Sequence, residues 1–210
     1  MNSKNLEYQP IKQRLPLKEL AVRDGPLSLT PLEVCHKAAF MSQYSGDIAE
    51  MCKLPEFGRA GEMEWEAWLV DYLKHPSANL FAIYHEDRGF IGSVGLDCHQ
   101  GAGFFFYWLG ADFQARGYGP RVVELLLEWA ARNRQVTCCY AVTYEDNIPS
   151  IKALRKLAFE KQPLKLADGG DEAYVQEEVF YRGPEKSVER LYSELNDLFA
   201  GIGSELRVVL

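Results

Sequence analysis

The sequence predicts an α/β (α+β) protein with a mixed, mostly antiparallel central sheet and flanking helices, and three observations carry that expectation. The apolar run Phe104-Phe105-Phe106-Tyr107-Trp108-Leu109 leads into the glycine turn Gln114-Ala115-Arg116-Gly117-Tyr118-Gly119 and then a long amphipathic stretch. A second, nearly continuous apolar run, Thr137 to Thr143, follows, as expected of a strand covered on both faces. Strand, crossover helix and strand imply a parallel pair with a right-handed connection. Leu80 to His85 and Phe90 to Leu96 read as two strands joined by the polar turn Glu86-Asp87-Arg88-Gly89, a hairpin signal that makes the remaining sheet antiparallel.

In chain order, residues 1–25 mix charges and prolines without clear periodicity and read as an N-terminal extension, with a short strand or helix around Leu15 to Val22. Leu27 to Leu32 alternates apolar and polar and is the first strand, with Pro31 confining it to an edge or an end. Helices are expected from Leu32 to Ser42 and from Glu64 to Lys74, where Trp65, Trp68, Leu69 and Tyr72 recur at helical spacing. From Pro120, placed at the first helical position, Val122, Val123, Leu126 and Ala130 line one face, widened by Leu125 and Trp129. A further helix runs from about Pro149 to Leu157, and Ala173 to Tyr181 returns as a strand after the turn Asp168-Gly169-Gly170-Asp171.

Beyond Gly183-Pro184 comes an additional helix striped by Val188, Leu191, Leu195, Leu198 and Phe199 and closed by Gly201. Packing on its own domain is the first expectation for that stripe and a homodimer contact the second. The organisation is thus an extension over 1–25, a main domain over 26–183 and a C-terminal extension with an amphipathic helix over 184–210.

Composition narrows the class. A chain of 210 residues, 47% apolar and 25% charged, is ordinary for a soluble globular protein. No stretch approaches the ~20 apolar residues of a membrane helix and the N-terminus lacks a signal-peptide core, so a cytoplasmic protein that does not engage membranes is expected. A net charge of −7 argues against nonspecific nucleic-acid binding and mildly favours cationic substrates. Five cysteines without C-x-x-C spacing indicate neither a disulfide framework nor a metal site. Cys138 and Cys139, read as mid-strand, are foremost small buried hydrophobes, although one could line an internal channel.

The turn at 114–119 carries the function. A glycine turn at a helix start leaves backbone N–H groups unpaired at the positive helix end, and glycine admits a diphosphate close to the chain. The string Tyr107-Trp108-Leu109-Gly110-Ala111-Asp112-Phe113-Gln114-Ala115-Arg116-Gly117-Tyr118-Gly119 resembles the coenzyme A pyrophosphate motif (Q/R-x-x-G-x-G/A) of the GNAT superfamily of N-acetyltransferases. It is most similar to the branch of ribosomal-protein N-terminal acetyltransferases. Thirty-odd residues on, Val142-Thr143-Tyr144-Glu145-Asp146-Asn147-Ile148-Pro149-Ser150, running to Leu157-Ala158-Phe159, resembles that branch's strand, Asn-x-x-Ser turn and helix ending in Leu-Gly-Phe. Order and spacing agree with the family across the central third of the chain.

The resemblance implies a GNAT fold whose parallel pair is splayed, with acetyl-CoA as cosubstrate. It implies that the backbone of Arg116, Gly117, Tyr118 and Gly119, together with Gln114, holds the pyrophosphate, although Pro120 removes one donor. A main-chain N–H near Tyr107 to Leu109, through Trp108 and Leu109, would act on the thioester oxygen. Asn147 would contact the coenzyme arm, or serve as a helix N-cap, or both. Ser150 matches a proposed proton donor to the departing thiolate, with Tyr144 as the alternative and local backbone bonding as the plainer role for Ser150.

For the base, the branch often carries glutamate in a pattern Glu-x-Gly-Tyr-Trp, where this chain has Phe104 and Phe106. The remaining candidates are Asp97, His99, Glu145 and Glu177, and Phe104, Phe106 and Tyr107 could wall a substrate site or simply pack in the core. The expected function is transfer of the acetyl group of acetyl-CoA directly to a primary amine, a protein N-terminus or a small molecule. The alternative is an acyl-CoA-binding module with little catalysis, acting through a protein partner.

Overall fold

The computed structural model describes residues 22–52, 57, 64–167 and 177–210. The anticipated element near Leu15, the turn at 168–171 and the start of the strand at Ala173 lie outside these residues.

The chain forms β1 (Val22–Asp24), β2 (Leu27–Pro31), a 3-10 turn (Val34–His36) and α1 (Lys37–Gln43), α2 (Gly46–Cys52) and α3 (Trp65–Lys74). It continues through β3 (Ala78–His85), β4 (Gly89–His99), β5 (Ala102–Leu109), α4 (Tyr118–Arg134), β6 (Cys138–Thr143) and α5 (Ile148–Lys156). β7 (Glu160–Ala167), β8 (Glu177–Arg182), α6 (Val188–Ile202) and β9 (Arg207–Val209) complete it. The sheet order is β1-β2-β3-β4-β5-β6-β8-β7-β9. Only β5 and β6 run parallel among the described pairs.

Side-chain alternation along β5 fixes the layers. Phe105 and Leu109, with Tyr107 beside them, pack with α4 and α5 through Val122, Leu126, Trp129 and Leu154. Phe106 and Trp108 face the opposite side, toward Phe40 of α1 and Trp65 and Trp68 of α3. Phe104, on that same side, meets Phe199 of α6 edge to face at 5.3 Å. One layer of helices therefore holds α4 and α5, and the other holds α1, α3 and α6.

Several boundaries differ from expectation. Pro120 is the third residue of α4, not the first, because Gly117 at φ +77° already breaks the chain and starts the helix at Tyr118. The first turn still tolerates proline, since its N–H groups have no intrahelical acceptor. Leu32 lies outside any helix; the first helical residue is Val34 in the 3-10 turn before α1. Pro31 does end its strand, but β1 pairs outside it, so β2 is internal. Cys138 opens β6 rather than sitting mid-strand. Glu160 to Ala167 and Arg207 to Val209 are strands that periodicity did not reveal.

The C-terminal stripe is buried on its own domain: Leu191, Leu195, Leu198 and Phe199 pack with Tyr140, Leu164, Leu166, Val179 and Val208. Gly203 at φ +70°, not Gly201, closes α6, its N–H bonding to Ala200 O and that of Ser204 to Phe199 O. A polar clasp fixes α6 to the sheet: Lys186 Nζ lies 2.6 and 2.8 Å from the Glu194 carboxylate, and the Tyr140 hydroxyl donates to Glu194 at 2.6 Å. Burial pushes the Glu194 carboxyl up, but the bonds from Lys186 and Tyr140 outweigh it and hold the group below its ordinary range.

α5 ends in paired bonds from Ala158 N to Arg155 O and Phe159 N to Leu154 O, the Schellman arrangement that normally takes glycine. Ala158 adopts φ +59° there. A Cβ in the left-handed region is costly, so Ala158→Gly is expected to raise stability by about 0.5–1 kcal/mol in urea denaturation, net of glycine's greater unfolded-state entropy.

Candidate active site: a cleft through the sheet

β5 and β6 pair for three residues only, Ala102 with Cys138, Gly103 with Cys139 and Phe104 with Tyr140, and then diverge. Beyond that point the facing edges of 105–109 and 141–143 have no strand between them. A cavity of about 790 Å³ fills the gap. Its size suits an elongated ligand of several hundred daltons.

The cavity is lined from both faces of the sheet, and the two sides differ. On the α4/α5 side it is bounded by Gln114, Gly117, Gly119, Asn147 and Ser150, with Lys152 and Lys156 one turn apart on α5. The N-terminus of the 17-residue α4 opens here, adding the positive end of its dipole. On the α3/α6 side it is bounded by Trp68, Tyr72, Phe104, Phe106 and Leu206, with the buried Glu177. One side thus carries two lysines and a helix N-terminus, and the other aromatic rings and one carboxylate.

The lysine-bearing side depends on two glycines. Gly117 holds a left-handed φ of +77° with open space around it, and its neighbourhood leaves the turn free to receive a ligand. At Gly119 a Cβ would stand 2.8 Å from the Tyr107 hydroxyl oxygen and 3.0 Å from its ring, so a side chain there requires Tyr107 to shift or α4 to back away from β5.

The residues anticipated from sequence separate into those the cavity gathers and those it does not. Trp108, Leu109, Gln114, Gly117, Gly119, Tyr144, Asn147 and Ser150 all border it. Trp108 does so with its backbone, since its ring is buried against Phe40 and Phe90. Gln114 is held by a bond from Nε2 to Leu109 O. Asn147 is the N-cap of α5, its Oδ1 accepting from Ser150 N at 3.2 Å. The Ser150 hydroxyl makes no hydrogen bond among the described residues, so its local-bonding role falls to the backbone N–H.

Three anticipated residues stand apart. Arg116 is exposed and folds back, Nε donating to Asp112 O at 2.7 Å. Tyr118 packs on His85 with ring centroids 5.4 Å apart. Glu145 lies exposed in the loop before α5 and does not border the cavity. Neither Cys138 nor Cys139 borders it, which removes the channel role; burial pushes the Cys139 thiol up to about 12, as befits a packing residue.

Of the remaining base candidates, His99 lies under α6, where its ring abuts Gly201, and Glu177 borders the cavity directly. Asp97 on β4 accepts a 2.9 Å bond from the Tyr72 hydroxyl. Burial pushes its carboxyl up to about 6, against the lowering effects of the Tyr72 bond and of His75. Sequence reasoning missed Trp68, Tyr72, Lys152, Lys156 and Leu206 as site residues. The i, i+4 spacing of Trp68 with Tyr72 and of Lys152 with Lys156 was the available signal.

A mixed sheet opened at the one parallel pair among its described strands, with a glycine-started helix at the opening, is the architecture of the GNAT acetyltransferases. The chain belongs to that family: the acetyltransferase (GNAT) domain model matches residues 27–160. Acetyl-CoA is accordingly its cosubstrate, and the volume, the glycine cradle and the two lysines suit an elongated anionic thioester.

The structure resembles the ribosomal-protein-S5-alanine acetyltransferase of Vibrio fischeri with a TM-score of 0.61 at 18% identity, covering 79% of this chain and 97% of that one. It resembles Mycobacterium smegmatis RimJ in complex with CoA-disulfide at 0.60 and 18%, over 83% and 92%. It also resembles the spermidine N-acetyltransferase of Vibrio cholerae in complex with CoA and spermine, at 0.61 and 14%, over 76% and 96%. Sequence comparison with curated proteins gives no match. Among the described residues no helix is long and apolar enough to cross a membrane.

Proposed function

We propose that this chain is an N-acetyltransferase that moves the acetyl group of acetyl-CoA directly to a primary amine, either a protein N-terminus or a small-molecule amine, in the cytoplasm. The observation that carries the reading is the cavity at the divergence of β5 and β6, lined by lysines from one face of the sheet and by aromatic rings and Glu177 from the other. An anionic coenzyme suits the face with Lys152, Lys156 and the α4 N-terminus, and a cationic amine suits the face with Glu177 and the aromatic wall. The two reactants then meet at the thioester between β5 and β6, with no protein nucleophile needed between them. The names of similar structures, a ribosomal-protein alanine acetyltransferase and a spermidine acetyltransferase, support an amine acceptor.

In this reading the backbone of Arg116 to Gly119 binds the pyrophosphate, with Gln114 bracing the turn. Asn147 contacts the coenzyme arm while capping α5. A main-chain N–H of Trp108 or Leu109, on the free edge of β5, polarises the thioester carbonyl. Ser150, in the first turn of α5, protonates the leaving thiolate, with Tyr144, in the loop before it, as the alternative donor. The binding-module alternative drew on the aromatic residues at 104 and 106; Glu177, which borders the cavity on the same side, weakens that motive.

Direct transfer makes a sharp demand on intact-protein mass spectrometry. After exposure to acetyl-CoA the protein mass is expected to stay unchanged, with the acetyl group appearing on the amine nitrogen of the product. A stable acetyl-cysteine competent for transfer would overturn the direct route. Ser150→Ala is expected to lower kcat by about 10²-fold with coenzyme affinity within twofold, and Tyr144→Phe by less. A larger loss for Tyr144→Phe would exchange the two roles.

A further inference from the structure

We propose that Asp97, acting through the Tyr72 hydroxyl, takes the proton of the acceptor amine. The inference rests on the N-acetyltransferase reading and names a proton path within it.

Tyr72 is the link between the cleft and Asp97. It borders the cavity beside Trp68 and Phe106, its ring set edge-on to Phe106 at 6.2 Å. Its hydroxyl donates to Asp97 Oδ1 at 2.9 Å, which leaves the oxygen lone pairs free to accept from a donor in the cleft. Directly paired residues of antiparallel strands share a face, and Asp97 pairs with Phe104. Asp97 therefore lies on the same face as the aromatic side of the cavity, one layer behind the wall that a cationic acceptor would touch.

The groups around Asp97 are few. Tyr72 and His75 face it from α3 and the following residue, Phe104 from β5 and Ala78 from β3, and Cys98 adjoins it in sequence. No lysine or arginine bonds to it among the described residues. Its raised proton affinity matches what a base needs to accept a proton near neutrality and release it to solvent afterward.

The step balances without a further reactant. The ammonium gives a proton to the Tyr72 oxygen as the Tyr72 hydroxyl proton passes to Asp97, leaving Tyr72 unchanged, Asp97 neutral and the amine uncharged. The amine lone pair then forms the C–N bond while the C–S bond breaks. The second amine proton reaches the thiolate, and Asp97 returns its proton to water between turnovers. Glu177 borders the cleft directly and serves as the comparison.

The test is the pH profile of kcat/KM for the fastest amine in a panel of 2-phenylethylamine, spermidine and an alanyl peptide. The wild type is expected to show a plateau above pH 6 and a tenfold fall per unit below it, where Asp97 is protonated. Asp97→Asn should lose the plateau and rise tenfold per pH unit toward the amine's own pKa, leaving it at least about 100-fold slower at pH 7 with 2-phenylethylamine or spermidine and about tenfold slower with the alanyl peptide, whose amine titrates at about 8. Tyr72→Phe should follow the same slope, and Glu177→Gln should keep the plateau. Asp97→Asn should also melt at a higher temperature than the wild type near neutral pH, because it removes a half-buried carboxylate whose proton affinity folding raises, which separates lost catalysis from lost folding.

A plateau retained in Asp97→Asn, or transferred to dependence on Glu177, would overturn the proposal. So would a Tyr72→Phe variant with the wild-type profile, since Asp97 would then act without the relay. A wild-type protein that binds acetyl-CoA yet releases no thiol with any amine would overturn both this proposal and the N-acetyltransferase reading, whereas loss confined to the variants' plateau bears on the proton path alone.

Discussion

Gly119→Trp is expected to raise the dissociation constant for acetyl-CoA at least tenfold, a cost of about 1.4 kcal/mol, in a calorimetric titration. The cause is local: the new Cβ alone meets the Tyr107 hydroxyl and ring at 2.8 to 3.1 Å, so either Tyr107 leaves the cleft or α4 backs away from β5. Each movement changes where the first-turn N–H groups point. Gly117→Trp should act by a different route, since nothing crowds that position, but an L side chain at φ +77° is strained and its bulk lies in the turn. Unchanged affinity in both variants would place the coenzyme away from the turn.

The largest effect on stability is expected from Phe199→Ala, about 3 kcal/mol by urea denaturation. Phe199 is 2% exposed and packs among Leu191, Leu195, Leu198 and Val208 as well as edge-on to Phe104. Phe104 borders the cleft, so the C-terminal extension supports a wall of the site and does not merely decorate the domain. The substitution should therefore raise KM for the amine beyond what the fraction of folded protein explains. Tyr192→Ala, on the exposed side of the same helix, should change stability by less than about 0.5 kcal/mol.

The elements that decide the chemistry were those the sequence displayed most openly. Strand, glycine turn and helix across 104–134 were readable because each has its own signal: an apolar run, two glycines and a 3.6-residue repeat. The hairpin of β3 and β4 and the stripe of α6 were readable for the same reason. β7 was not, because Glu160, Lys161 and Lys165 mask the alternation and Pro163 argues against a strand. The register of β7 against β8 shifts between Lys161 and Lys165, a break that accommodates the proline. β9 is three residues long and exists only because β7 offers an edge.

The site was legible in part. Asn147, Ser150 and the turn glycines announce themselves by local spacing, and their positions follow from a cap and a helix start. Tyr72 did not, since the pattern that reveals it, Trp65 to Tyr72 at helical spacing, is the pattern of a core face. Its bond to Asp97, 25 residues away, is a product of α3 packing over β4. Leu206 reaches the cleft only because β9 turns back onto β7. The divergence of β5 from β6 after three pairs leaves no mark in the composition of either strand.

The most direct test is amine-dependent release of coenzyme A thiol at saturating acetyl-CoA, with each amine of the panel paired to its alcohol counterpart. A cleft whose second side suits an amine that arrives as a cation and attacks once deprotonated predicts thiol release that depends on the amine and saturates with it, and that is absent or at least tenfold slower with the alcohol. Tight acetyl-CoA binding without amine-dependent release, or equal release with amine and alcohol, would contradict the account.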